Sequence, residues 1–133
     1  MAAIEPNTLY QLLKHGYNWL SNLRRAKSAR KQESVIALRR VITASRETAV
    51  YLRQYQESKK RIYKIERGLT LLWTELGFAL DDLGLSKLAK RCQVTGKHWS
   101  DPAYYEEAFL EKADISLDRM ERLAKELLLE LEA

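Results

Sequence analysis

Apolar residues recur along most of this chain at intervals of three and four, the period of one face of a helix. Leu9, Leu13, Gly16, Leu20 and Leu23 form the first such stripe, widened by Leu12 and Trp19. Asn7, just after Pro6, is a good cap and sets the expected start. The pattern fades over Arg24-Arg25-Ala26-Lys27-Ser28-Ala29-Arg30-Lys31, read as a frayed end or a first connection. A second helix is expected from about Ser34 to Gln56, with Val35, Leu38, Ile42, Ser45, Ala49 and Leu52 as a bundle seam. Ser45 is its one polar member, small enough to sit where two helices approach closely. The third helix, from about Arg61 to Leu83, carries the clearest stripe: Ile62, Ile65, Leu69, Leu72, Leu76, Leu80 and Leu83, flanked by Trp73 and Ala79. Gly84 is placed to end it in a left-handed cap.

Beyond Gly84 the pattern predicts a short helix from Ser86 to about Cys92, then a loop over Gln93–Ser100, because Val94, Thr95 and Gly96 are poor helix formers. Asp101-Pro102 supplies a cap followed by proline and so marks a new helix start. The last segment carries Tyr105, Phe109, Leu110, Leu117, Met120, Leu123, Ala124, Leu127 and Leu131, with a bend expected around Ala113-Asp114. No strand-like alternation occurs. The fold class expected is therefore all-α: an antiparallel helical bundle of about four to five helices, forming one domain over residues 1–133.

Composition adds three constraints. A chain of 133 residues is long enough to bury a core without staples. Cys92 is the only cysteine, so no intrachain disulfide can form, and a reducing compartment is expected. With no run of about 18 apolar residues and no signal-like order in Met1–Asn7, the expectation is a cytoplasmic protein without a membrane span. Charge is divided unevenly. Residues 1–67 hold 15 Lys/Arg against 5 Asp/Glu, whereas residues 68–133 hold 8 against 13. Either an anionic partner meets the basic half, or the acidic last helix lies beside it and neutralises it.

Candidate chemistry is sparse. One Cys and two His (His15 and His98) match no zinc spacing, and no metal, cofactor or small-molecule ligand is expected. Leu88-Ala89-x-x-Cys92-Gln93-Val94-Thr95 with Trp99 resembles a helix-turn-helix over residues 86–101, with Lys87, Lys90, Arg91 and Lys97 as phosphate contacts. Gln93 occupies the place where such a unit usually has a glycine at its turn. Arg91 and His98, separated by six residues, resemble the catalytic pair of the helical HEPN ribonucleases, and Glu57 with Arg61 resembles their accessory Glu-x-x-x-Lys/Arg pattern. That resemblance implies His98 handling a 2′-hydroxyl proton and Arg91 stabilising phosphorane charge. The pair needs a common helical surface, which the loop expected at Gln93–Ser100 does not give. A third candidate is a basic ladder, Arg39, Arg46, Arg53, Lys60 and Arg67 at intervals of seven, interleaved with Tyr51, Tyr55 and Tyr63. Cations flanking a seam also serve to cover the core edge and pair with a neighbouring helix; Glu121, Glu126, Glu130 and Glu132 are available.

The segment Gly96–Pro102 and the tyrosines after it offer Trp99, His98, Tyr104 and Tyr105 as interface anchors, or as packing across helix ends. Legible seams without a convergent catalytic set lead to one expectation: a non-enzymatic accessory or adaptor bundle that associates with another protein or with itself. Nucleic-acid binding through the basic half, or through a degenerate helix-turn-helix, is the alternative, and the HEPN-like ribonuclease stands behind it.

Overall fold

The computed structural model describes residues 6–23, 28–100 and 107–132, with side chains over 11–23, 29–100 and 117–131. Five helices occupy them: α1 (Pro6–Leu23), α2 (Ser28–Ser58), α3 (Tyr63–Asp82), α4 (Ser86–Ser100) and α5 (Glu107–Glu132). The protein is an all-α bundle. α2 lies between α3 and α5, α4 folds back along α3, and α1 packs on α5 and touches α4. Among the described residues no helix is long and apolar enough to cross a membrane.

The core is the set of inward stripes. Leu12, Trp19, Leu20 and Leu23 come from α1, and Leu38, Val41, Thr48 and Leu52 from α2. Leu69, Trp73, Leu76 and Leu80 of α3 and Leu88, Ala89 and Cys92 of α4 meet them. Leu117, Met120, Leu123, Ala124 and Leu127 of α5 complete one cluster. Trp73 is fully buried, and its indole N–H donates to Thr48 Oγ1 at 2.9 Å, which in turn donates to Ala44 O at 2.7 Å. A buried polar atom would otherwise cost on the order of 1–3 kcal/mol.

Two junctions explain where the helices end. Past α3, Gly84 adopts φ +88, and its N–H bonds Asp81 O while Leu85 N–H bonds Leu80 O. This paired arrangement is the left-handed cap expected at Gly84. The Leu83 carbonyl beside it accepts from Trp19 Nε1 and from Arg30 Nη2, each at 2.8 Å. A cation at the negative end of a helix is favourable. Arg30 does this from within α2, which begins at Ser28, six residues before the expected start at Ser34. Residues 28–31, which have no apolar face, are helical, and Arg30 among them reaches across to cap the neighbouring helix.

The second departure is α4. It is one helix from Ser86 to Ser100, and the loop expected over Gln93–Ser100 is absent. Gly96 is the reason: it is a point of close approach rather than a breaker. A Cβ there would lie 2.6 Å from Thr74 Oγ1 and 3.1 Å from the Thr70 carbonyl oxygen. Gly77 does the same from the α3 side, where a Cβ would lie 2.5 Å from Gln93 Cγ and 3.1 Å from Ala89 O. The two glycines let α3 and α4 pack backbone to backbone. Helix α5 likewise runs unbroken through Ala113-Asp114, where a bend was expected, while the Asp101-Pro102 start lies outside the described residues.

Gly96→Ala should therefore destabilise the protein by about 1–3 kcal/mol, the range for overpacking a tight contact. Gly68→Ala, where nothing lies within 4 Å of the added carbon, should instead gain up to about 1 kcal/mol of helix propensity. Urea unfolding of the two variants beside the parent checks both signs.

Candidate functional site

Among the described residues, the candidates from the sequence do not converge on one site. Arg39, Arg46 and Arg53 line one flank of α2, Lys60 falls in the connection after Ser58, and Arg67 sits on α3, so the ladder is not a single row. At Arg46 the α2 flank meets α5. Arg46 Nε donates to Glu121 Oε1 at 3.1 Å, and Lys125 pairs with the other oxygen of the same carboxylate at 3.1 Å. Burial pushes the Glu121 pKa up, but hydrogen bonds from Lys125 and Arg46 outweigh it and hold the carboxyl below its ordinary value. At this point the acidic last helix does neutralise the basic edge.

The helix-turn-helix expectation fails on geometry. Residues 86–100 form one straight-through helix, with no turn to set a recognition helix against a first one. Lys87, Lys90 and Lys97 are exposed along it and Arg91 is half-buried. Trp99 is not a surface anchor: it is only 3 % exposed, and its ring meets Tyr51 edge-on with centroids 5.6 Å apart. His98 is half-buried and has interactions of its own, and Tyr104 and Tyr105 lie outside the described residues. The continuous helix does bring Arg91 and His98 onto one flank, two turns apart, on the side of α4 away from the Gly96–Ala89 contact with α3.

Cys92 is buried in the core, and burial pushes its thiol up to about 12, so it is protonated and inaccessible near neutral pH. Among the described residues no group of three or more His, Cys, Asp or Glu is placed to hold a metal.

Where α2 passes into α3, a polar network is buried under Trp99. Tyr51 OH donates to the Glu66 carboxylate and accepts from the Ile62 N–H at 2.9 Å. Arg61 grips the same carboxylate with Nη2 at 2.6 Å and Nε at 3.2 Å, while its guanidinium lies 5.0 Å from the centre of the Tyr63 ring. Every donor around Glu66 is matched to an oxygen, which is what a carboxylate only 3 % exposed requires. The network fixes the spacing of α2 and α3 at this end of the bundle.

Between those two helices the surface opens. A groove of about 520 Å³ is lined by Glu47, Val50, Tyr51, Gln54, Ile65, Gly68, Leu69 and Leu72. A second, of about 280 Å³, lies at the other end between Ile36, Ala37 and Arg40 of α2 and Ala79 and Asp82 of α3, with Leu83 just after it. Ile36, Val50, Ile65, Leu71 and Phe78 are exposed apolar side chains on these two helices, Val50 at 63 % and Phe78 at 59 %. Sequence reasoning passed over four of these five because it followed the inward seams. The available signal was apolar residues off the seam at heptad spacing: Leu71 and Phe78 are seven apart, Ile36 and Val50 fourteen. Comparison with protein-family models, curated proteins and solved structures finds no match to this chain.

Tyr51→Phe should lose about 1–3 kcal/mol, because it strands the Ile62 N–H and removes a donor from Glu66. In the parent, burial, followed by the bond to Glu66, raises the Tyr51 phenol from 10.0 to about 12. A raised acid pKa contributes stability that is complete below pH 10 and is lost as pH climbs through about 12. Thermal melts across that window should fall more steeply for the parent than for Tyr51→Phe.

Proposed function

We propose that this protein is a non-enzymatic accessory or adaptor that acts by protein–protein association through the face shared by α2 and α3. One observation carries the reading: five large apolar side chains stand exposed on α2 and α3, and three of them, Ile36, Val50 and Ile65, line grooves between the two helices. The other flank of α3 packs on α4, and the other flank of α2 packs on α5. Apolar surface of this kind, rimmed by charge, marks places where proteins meet. The rim is mixed, with Glu33, Arg40 and Glu47 on α2 and Lys64, Glu75 and Asp82 on α3 exposed beside it. Alternating charge of this sort sets orientation and register more than affinity. The Arg46–Glu121 pair supports the same reading, since it gives one cation of the basic edge a partner within the fold.

The direct test compares the parent with a Val50→Asp/Leu71→Asp variant whose helicity and melting are first shown to be intact. Both are examined by light scattering over a wide concentration range, alone and after tagged purification from the native host. The reading expects the parent to associate with itself or with a defined host protein, and the variant to lose that association. A parent that is monomeric at every concentration and recovers no partner contradicts it. So does a variant that associates as the parent does.

A second reading rests on the continuity of α4, which supports a common flank for Arg91 and His98. Arg61, the second member of the accessory pattern, is at the same end of the bundle as His98 but is occupied by Glu66. The HEPN-like ribonuclease predicts RNA cleavage that His98→Ala abolishes. Cleavage unchanged in that variant, or absent from the parent, ends it.

A further inference from the structure

We propose that the partner seated on this face is a second copy of the chain, joined antiparallel along α3 about a two-fold axis at the height of Trp73. The inference rests on the association reading above and names its occupant. Lys64, Gly68, Leu71, Glu75, Phe78 and Asp82 are all exposed and form one outward stripe down α3. Their spacings of four, three, four, three and four read the same in both directions. An isologous contact uses that property, because wherever residue i of one copy meets residue j of the other, residue j of the first meets residue i of the second. Reversing the stripe sets Lys64 against Asp82 of the second copy, Gly68 against Phe78, and Leu71 against Glu75.

Each of these pairs is complementary. Lys64 and Asp82 have opposite charge and repeat at both ends of the contact. Gly68 leaves a notch, with nothing within 4 Å of where a Cβ would stand, and it lies on the wall of the 520 Å³ groove lined by Val50, Ile65, Leu69 and Leu72. Phe78, the opposing residue, presents an exposed ring that enters over Gly68 into that apolar groove. Leu71, 50 % exposed, packs along the methylenes of Glu75, whose carboxylate stays at the rim. Two knobs and two notches alternate along the axis, the geometry by which helices interlock. From Lys64 to Asp82 the stripe is about 27 Å long at the helical rise. A single helix pair of that length is at the small end of specific interfaces, so the dimer is concentration-dependent rather than obligate.

Charge reversal tests the register. Sedimentation velocity should show a reversible dimer for the parent, weakened about tenfold or more by Phe78→Ala. Gly68→Glu, which fills the notch at a position the isolated fold tolerates, should weaken it similarly. Lys64→Asp and Asp82→Lys should each dimerise poorly alone, through two like-charged pairs, yet form a heterodimer when mixed. The Lys64→Asp/Asp82→Lys double variant should recover self-association. The proposal is overturned by a parent that stays monomeric, by a dimer indifferent to Phe78→Ala, or by single variants that do not rescue each other. If self-association is absent but a host protein binds the parent and not Phe78→Ala, the second copy is excluded while the association reading stands.

Discussion

The backbone-to-backbone contact of α3 with α4 is the constraint on which the rest of the arrangement depends. Gly77 and Gly96 remove the side chains that would hold the two helices apart, and the intervening layer is Thr70, Thr74, Ala89 and Gln93. Because α4 must run straight to bring Gly96 onto Thr70, it carries Trp99 to the end of the bundle, where the indole closes over Tyr51. Tyr51 in turn orients Glu66, and Glu66 holds Arg61 and the turn into α3. Trp99 thereby joins the α3–α4 contact to the α2–α3 connection by direct packing.

The same contact determines what is left open. With one flank of α3 committed to α4 and its inner stripe to the core, the outer flank, Lys64, Leu71, Glu75 and Phe78 among its residues, is exposed among the described residues. The long α2 is engaged on its other side by α5, partly through Arg46 and Glu121. Polar networks lock one end of the α2–α3 groove and the Arg30 and Trp19 bonds to Leu83 lock the other. The exposed apolar stripe is thereby presented on two helices tied at both ends, an arrangement that lowers the ordering cost of association.

Much of the fold was legible in the residues. The seams of α2 and α3, the cap at Gly84 and the helical class follow from periodicity and one residue able to take positive φ. Two features were hidden for physical reasons. Arg30 sits in a stretch with no apolar face, so its helical state depends on a carbonyl 53 residues away that no local pattern reveals. Gly96, with Val94 and Thr95 before it, carries the propensity of a loop, and only its contact with Thr70 and Thr74 makes a glycine the right residue inside a helix. The candidate site was less legible still. Attention to Trp99 and the cations pointed at a core residue and at an ion pair facing α5. Leu71 and Phe78 gave no chemical signal beyond being apolar where the seam is not.

The most direct measurement places a spin label at Asp81→Cys, a position reagents reach while the buried Cys92 stays protected. The labelled chain is mixed with an isotopically enriched, unlabelled copy, so that only contacts between molecules are read. An antiparallel contact along α3 predicts broadening of amide resonances around Lys64 and Ile65 of the enriched copy, near the start of α3. Broadening centred on α4 or α5, or none at concentrations where the protein sediments as a dimer, would contradict it.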